Sequence, residues 1–149
     1  MFTYVAISIL AAREFVPFEN ATNGCVETAV SYAFAQNGKG YSQNQCTGRA
    51  GECCRLGPKC FDCSGLVYMA YKQAGKKVPT STGGYPGGLS SVGLGNARPG
   101  DILWRSGHVG IVGNGNQVIH AANPTRGVYI MTLANFKQYL SPTHAYRVC

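Results

Sequence analysis

Phe61-Asp62-Cys63-Ser64-Gly65-Leu66-Val67 sets one cysteine directly before a periodic apolar run. Leu66, Val67, Ala70 and Tyr71 recur at helical spacing through residues 64–74, and Gly75 supplies a stop, so the run predicts an amphipathic helix with Cys63 at its N-terminus. A thiol attacks only as thiolate, and a helix N-terminus together with a nearby imidazole can draw off its proton. Two histidines follow downstream, in Gly107-His108-Val109-Gly110 and Val118-Ile119-His120. That order of groups suits a cysteine hydrolase.

Upstream, Val26, Ala29, Val30, Ala33 and Phe34 share a helical face over residues 26–36, and Gly38 ends the run. Residues 43–59 are polar, rich in cysteine and without period, which predicts a disulfide-stapled loop. Downstream, glycine, serine and proline dominate residues 79–99, an irregular connection able to line a groove. After Pro99 come short β runs at 101–105, 108–112, 117–121, 127–132 and 144–148. No internal repeat or linker interrupts the chain, and its 149 residues suit a single domain, taken as residues 13–149.

The two histidines are twelve residues apart across a hairpin whose turn contains Gly113-Asn114-Gly115. A two-residue turn at Asn114-Gly115 would send them to opposite faces. A three-residue loop with Gly115 left-handed would pair His108 directly with His120, and this second arrangement is expected. His108 would then be the base toward Cys63, and His120 would orient its other ring nitrogen. Each residue also has a plainer reading: a cysteine in a disulfide-rich chain is usually bridged, and a strand histidine is usually structural. His144 has nothing to raise it above that.

Seven cysteines in so short a chain point to an oxidising compartment. With Cys63 free, Cys25, Cys46, Cys53, Cys54, Cys60 and Cys149 can form three disulfides among about fifteen connectivities; a Cys25–Cys149 bond would tie the two ends together. Alternatively, Cys53, Cys54, Cys60 and Cys63 could hold zinc, since Cys60 and Cys63 have ligand spacing. The zinc reading would consume the nucleophile, so no metal and no cofactor is expected. The net charge of +7 is scattered, with Lys76-Lys77 the only adjacent basic pair. It favours polyanions in general, and no basic stripe with aromatics suggests nucleic acid. Residues 2–12 form an apolar stretch too short to span a bilayer, which reads as a signal-like segment over residues 1–12 or as an N-terminal element packed on the domain. Asn20-Ala21-Thr22 fits a glycosylation sequon.

From about Cys25 onward the chain resembles the NlpC family of cell-wall cysteine peptidases. Phe61-Asp62-Cys63-Ser64-Gly65-Leu66-Val67 is similar to the nucleophile motif, followed by Tyr71-Lys72-Gln73-Ala74-Gly75. Ala97-Arg98-Pro99-Gly100-Asp101-Ile102-Leu103-Trp104 resembles the turn and strand before the base, Ser106-Gly107-His108-Val109-Gly110-Ile111-Val112 the base strand, and His120 the third polar residue. Gly38-Lys39-Gly40-Tyr41 resembles an upstream element whose tyrosine lies near the nucleophile. The chain departs from the pattern after Tyr41, where Ser42-Gln43-Asn44-Gln45 replaces a tryptophan and paired glycines and a cysteine-bearing insert, 46–60, intervenes.

The resemblance implies an α+β papain-like fold, with the nucleophile helix on an antiparallel sheet. It further implies an endopeptidase that cuts peptidoglycan stem peptides between D-glutamate and the diamino acid; the cysteine count and basic charge add the expectation of a secreted, bacteriolytic enzyme, taken as a monomer. Catalytic roles would fall to Cys63, His108 and His120, an oxyanion role to Tyr41, and recognition of a free stem-peptide amino end to Asp62 and Ser64. A non-catalytic wall-binding module and a related amidase or acyltransferase are the alternatives on the same fold.

Overall fold

The short apolar runs after Pro99 become strands, the central ones buried on both faces, and the helical runs pack where their apolar stripes can be buried. The computed structural model describes residues 17–149, with side chains from residue 24 onward. The elements are α1 (Pro17–Ala35), β1 (Gly40–Tyr41), β2 (Cys60–Phe61), α2 (Cys63–Gln73), β3 (Ser90–Val92), β4 (Ile102–Arg105), β5 (His108–Gly113), β6 (Gln117–Ala121), β7 (Val128–Thr132), α3 (Leu133–Leu140) and β8 (His144–Arg147). The signal-like segment lies outside the described residues, and so do the side chains of the Asn20 sequon.

Six strands form one antiparallel sheet in the order β3-β8-β4-β5-β6-β7, while β1 and β2 make a separate parallel pair. Ala29, Val30 and Ala33 of α1 and Leu66, Val67, Ala70 and Tyr71 of α2 pack against Val109, Ile111 and Ile119 on one face of the sheet. Phe136 and Leu140 of α3 pack against Leu103, Val112 and Val118 on the other. This is the expected α+β architecture, with the nucleophile helix on the sheet.

Four local features differ from the sequence reading. Helix α1 begins at Pro17, nine residues before the expected start, a position where the missing N–H of proline costs nothing. The 79–99 connection contains β3, which pairs with the distant β8. Helix α3 was not anticipated; Thr132 caps it by accepting from the Asn135 N–H at 3.1 Å, and Ser141 ends it at φ 52°. The hairpin loop has three residues, as expected, but they are Asn114-Gly115-Asn116, with Gly113 opposite Gln117. His108 is therefore not the direct partner of His120. Gly115 and Asn116 both take positive φ, and Gly113 stays in the strand because a Cβ there would sit 2.3 Å from the Phe34 ring of α1. The shift is by two residues, so the histidines keep the same face and meet diagonally.

The disulfides are Cys25–Cys149, Cys46–Cys54 and Cys53–Cys60, and Cys63 is free. Three of the four sulfurs required for zinc are thus bonded elsewhere, which removes the metal reading.

Candidate active site

Cys63 opens α2, and Asp62 caps the helix by accepting the Gly65 N–H at 2.7 Å. On β5 the Val112 backbone bonds back to Asp101 and Gly100 before β4, so Ile111 and Gly113, which alternate with it, present their backbone to the β6 side. The β5–β6 ladder runs no further than Ile111 opposite Ile119. Beyond it, the thiol stands where a continued β6 would have paired: Cys63 Sγ lies 3.8 Å from the Gly107 carbonyl, and the Val109 amide bonds to it. These two backbone groups bracket His108.

The His108 ring lies beside Phe136 and Tyr139 of α3, and its Nε2 lies 2.8 Å from His120 Nδ1. His120 is fully buried, and its Nε2 lies 3.2 Å from Met131 Sδ. A thioether accepts and never donates. His120 therefore carries its proton on Nε2, its bare Nδ1 accepts from His108 Nε2–H, and the lone pair of His108 is left on Nδ1. Phe136 and Tyr129 wall the His120 ring at centroid distances of 4.9 Å each.

Burial sets the charge states. It lowers His108 to about 4, and His120 to about 3 with help from His108 and Arg126. It also raises the Cys63 thiol; the Val109 amide opposes this, the Asp62 charge adds to it, and the Ser64 and Cys63 amides oppose it. The resting pair is thus neutral thiol and neutral imidazole. At the Cys63 thiol, desolvation outweighs the amides at the start of α2.

A groove of about 410 Å³ opens beside the thiol, lined by Asp62, Cys63, Ser64 and Gly107 together with Arg55 and residues 80–82. The irregular connection lines it as expected, and the Trp104 indole fixes it by donating to the Thr82 carbonyl at 2.9 Å. His108, His120 and Tyr41 lie outside that wall. Tyr41 is half-buried on β1, close enough to feel charge on Cys63 and Asp62, although burial is the main reason its pKa is raised. His144 is exposed and stacks on Tyr146 with an interplanar angle of 9°, away from the pair.

The NlpC/P60 family profile matches residues 30–145, most of the chain. The chain belongs to the NlpC/P60 family. Among curated relatives, a Corynebacterium glutamicum protein named "Probable endopeptidase" is 41% identical over 70 residues, covering 45% of this chain and 34% of its own. The gamma-D-glutamyl-L-lysine dipeptidyl-peptidase of Bacillus subtilis is 30% identical over 81 residues, covering 49% of this chain and 27% of its own. The matched stretches thus span about a third or less of these relatives. Among solved structures, the NlpC/p60 domain of the peptidoglycan hydrolase SagA superposes with TM-score 0.63 at 25% identity, covering 81% of this chain and 97% of that one. The peptidoglycan hydrolase RipB of Mycobacterium tuberculosis shares the fold with TM-score 0.69 at 24% identity, covering 89% and 68%.

Within this NlpC/P60 site, three residues escaped the sequence reading. Met131 is an ordinary apolar strand residue until its register against β6 is known. Tyr139, the one large apolar side chain exposed among the described residues at 51%, belongs to the unanticipated α3 and stands 5.6 Å from the His120 ring. Arg55 lies in the stapled insert, whose course depends on the disulfide pairing.

Proposed function

We propose that this chain is a cysteine endopeptidase that cleaves peptidoglycan stem peptides at the bond between D-glutamate and the diamino acid. The observation that carries the reading is the thiol held by the backbone on either side of His108, with His108 itself tied to His120. Membership of a peptidoglycan-hydrolase family and a relative named for the D-glutamyl-lysine bond support the substrate. Three disulfides and the basic charge suit work outside the cell, as a secreted monomer.

In the proposed mechanism His108 Nδ1 takes the thiol proton as Cys63 Sγ attacks the scissile carbonyl carbon, so that the thiolate exists only as the new bond forms. The Cys63 N–H at the start of α2 stabilises the oxyanion, with the Tyr41 hydroxyl as second donor. His108 returns the proton to the leaving amine, and water, activated by the same ring, releases the acyl group.

Digestion of purified peptidoglycan by wild type and Cys63→Ala, followed by mass spectrometry, tests this. Fragments ending in D-glutamate from the wild type alone are expected. No fragments from either protein, with wall binding kept by both, would replace the enzyme with a binding module.

A further inference from the structure

Beside the nucleophile, the acid and hydroxyl that flank it are already engaged from within. Arg55 Nε donates to Asp62 Oδ2 at 2.6 Å, and the other oxygen of Asp62 holds the α2 cap at 2.7 Å. Arg55 Nη2 donates to Ser64 Oγ at 3.0 Å, and Ser64 in turn donates to the Thr80 carbonyl at 3.0 Å. Nη2 also meets that Thr80 carbonyl. The side chains of Arg55 and Asp62 are each 11% exposed.

The insert holds Arg55 firmly. It follows Cys54 directly, between the Cys46–Cys54 and Cys53–Cys60 bonds. Its N–H donates to the Asn44 carbonyl at 2.9 Å, and its own carbonyl accepts from the Asp62 N–H at 3.3 Å. The contact with α2 is so close that a Cβ on Gly65 would stand 2.0 Å from the Arg55 carbonyl oxygen. The guanidinium is thus a fixed wall of the groove. Among the described residues its Nη1 has no acceptor, and it is not one of the buried unpartnered atoms, so its N–H groups face solvent in the groove.

We propose that Arg55 is a specificity-determining residue that turns this corner of the groove from an ammonium site into an acceptor site, selecting peptides whose amino end is acylated. The inference rests on the peptidase reading above. A free ammonium would find both Asp62 oxygens and Ser64 occupied and would meet a fixed positive charge. An acylated amino end carries no charge and presents a carbonyl oxygen to Nη1. Stem peptides still amide-linked to the rest of the wall have that chemistry, and released peptides with free amino ends do not.

The test uses one synthetic stem peptide containing the D-glutamate–diamino acid bond, prepared with a free amino end and with that end acetylated. Wild type is expected to cleave the acetylated form with kcat/KM roughly tenfold or more above the free form. Arg55→Gln is expected to shift that ratio toward the free amine; a ratio within one protein sample does not depend on the fraction folded. Binding of both peptides to Cys63→Ala keeps the two readings separate. Tighter binding of the acetylated peptide, with no cleavage by wild type, would support the Arg55 assignment and sink the peptidase. Equal use of the two peptides, preference for the free amine, or binding of neither would overturn the assignment.

Discussion

The proton on His120 Nε2 decides where the lone pair of His108 lies. Met131 Sδ can only accept, so the order Met131, His120, His108 leaves Nδ1 of His108 bare and ready to take a proton. An asparagine at 120 would carry its side-chain oxygen close to the place of Nδ1 and accept the same bond; an alanine would leave Nε2–H of His108 without a partner. His120→Ala should therefore lower kcat by roughly 100-fold with little change in KM, and His120→Asn should recover most of that loss. Steady-state kinetics on a soluble stem peptide checks both, and equal loss in the two variants would show that the bond to His108 is not what His120 contributes.

The helix–strand junction that carries the site depends on one gap in β5. Gly110 lies between the two histidines' positions on the α3-facing side, where a Cβ would stand 2.7 Å from the Phe136 ring and 2.8 Å from Val118. Phe136 in turn walls the His120 ring. Gly110→Ala should cost about 1–3 kcal/mol through overpacking, and should lower activity beyond the fraction unfolded because the displaced ring moves His120. Denaturant titration and kinetics on the same sample separate the two effects. Helix α2 was legible in the sequence because its apolar period is local, and the five strand runs after Pro99 because each is a short, local apolar stretch. Ser90-Ser91-Val92 has no such period, and β3 exists only by pairing with β8, more than fifty residues on in the chain. Helix α3 is short, although Thr132 at its cap with Leu133, Phe136 and Leu140 on one face was a readable signal. The face shared by the histidines followed from parity alone. Their exact register did not, since Gly113 is used to pack Phe34 rather than to turn the chain. Likewise Cys63 stood out by its motif, whereas Arg55 depended on which of the possible disulfide patterns the insert adopts.

Across the whole molecule, stability is tied to pH through the same buried groups, against a background of covalent closure. The Cys25–Cys149 bond joins residues 124 apart and is worth about 5 kcal/mol in loop entropy, independent of pH in the range below. The imidazoles behave differently. In the unfolded chain a histidine binds its proton near pH 6.5, whereas in the fold burial holds His108 near 4 and His120 near 3. Between these values the unfolded state carries protons that the native state refuses, so stability rises with pH and falls on acidification, by up to about 1.4 kcal/mol per pH unit for each ring. Cys63 acts at the other end: its thiol is raised in the fold, so above about pH 8.5–9 the unfolded chain loses a proton that the native state keeps, and stability falls as pH rises. The expected curve is a plateau between about pH 6.5 and 8.5 with losses on both sides. Urea titrations across pH 4–10 on wild type, His108→Gln/His120→Asn and Cys63→Ala assign each limb. The histidine double variant should flatten the acid limb alone and Cys63→Ala should reduce the alkaline one, while an unchanged acid limb in the double variant would mean that these imidazoles are not kept neutral by burial.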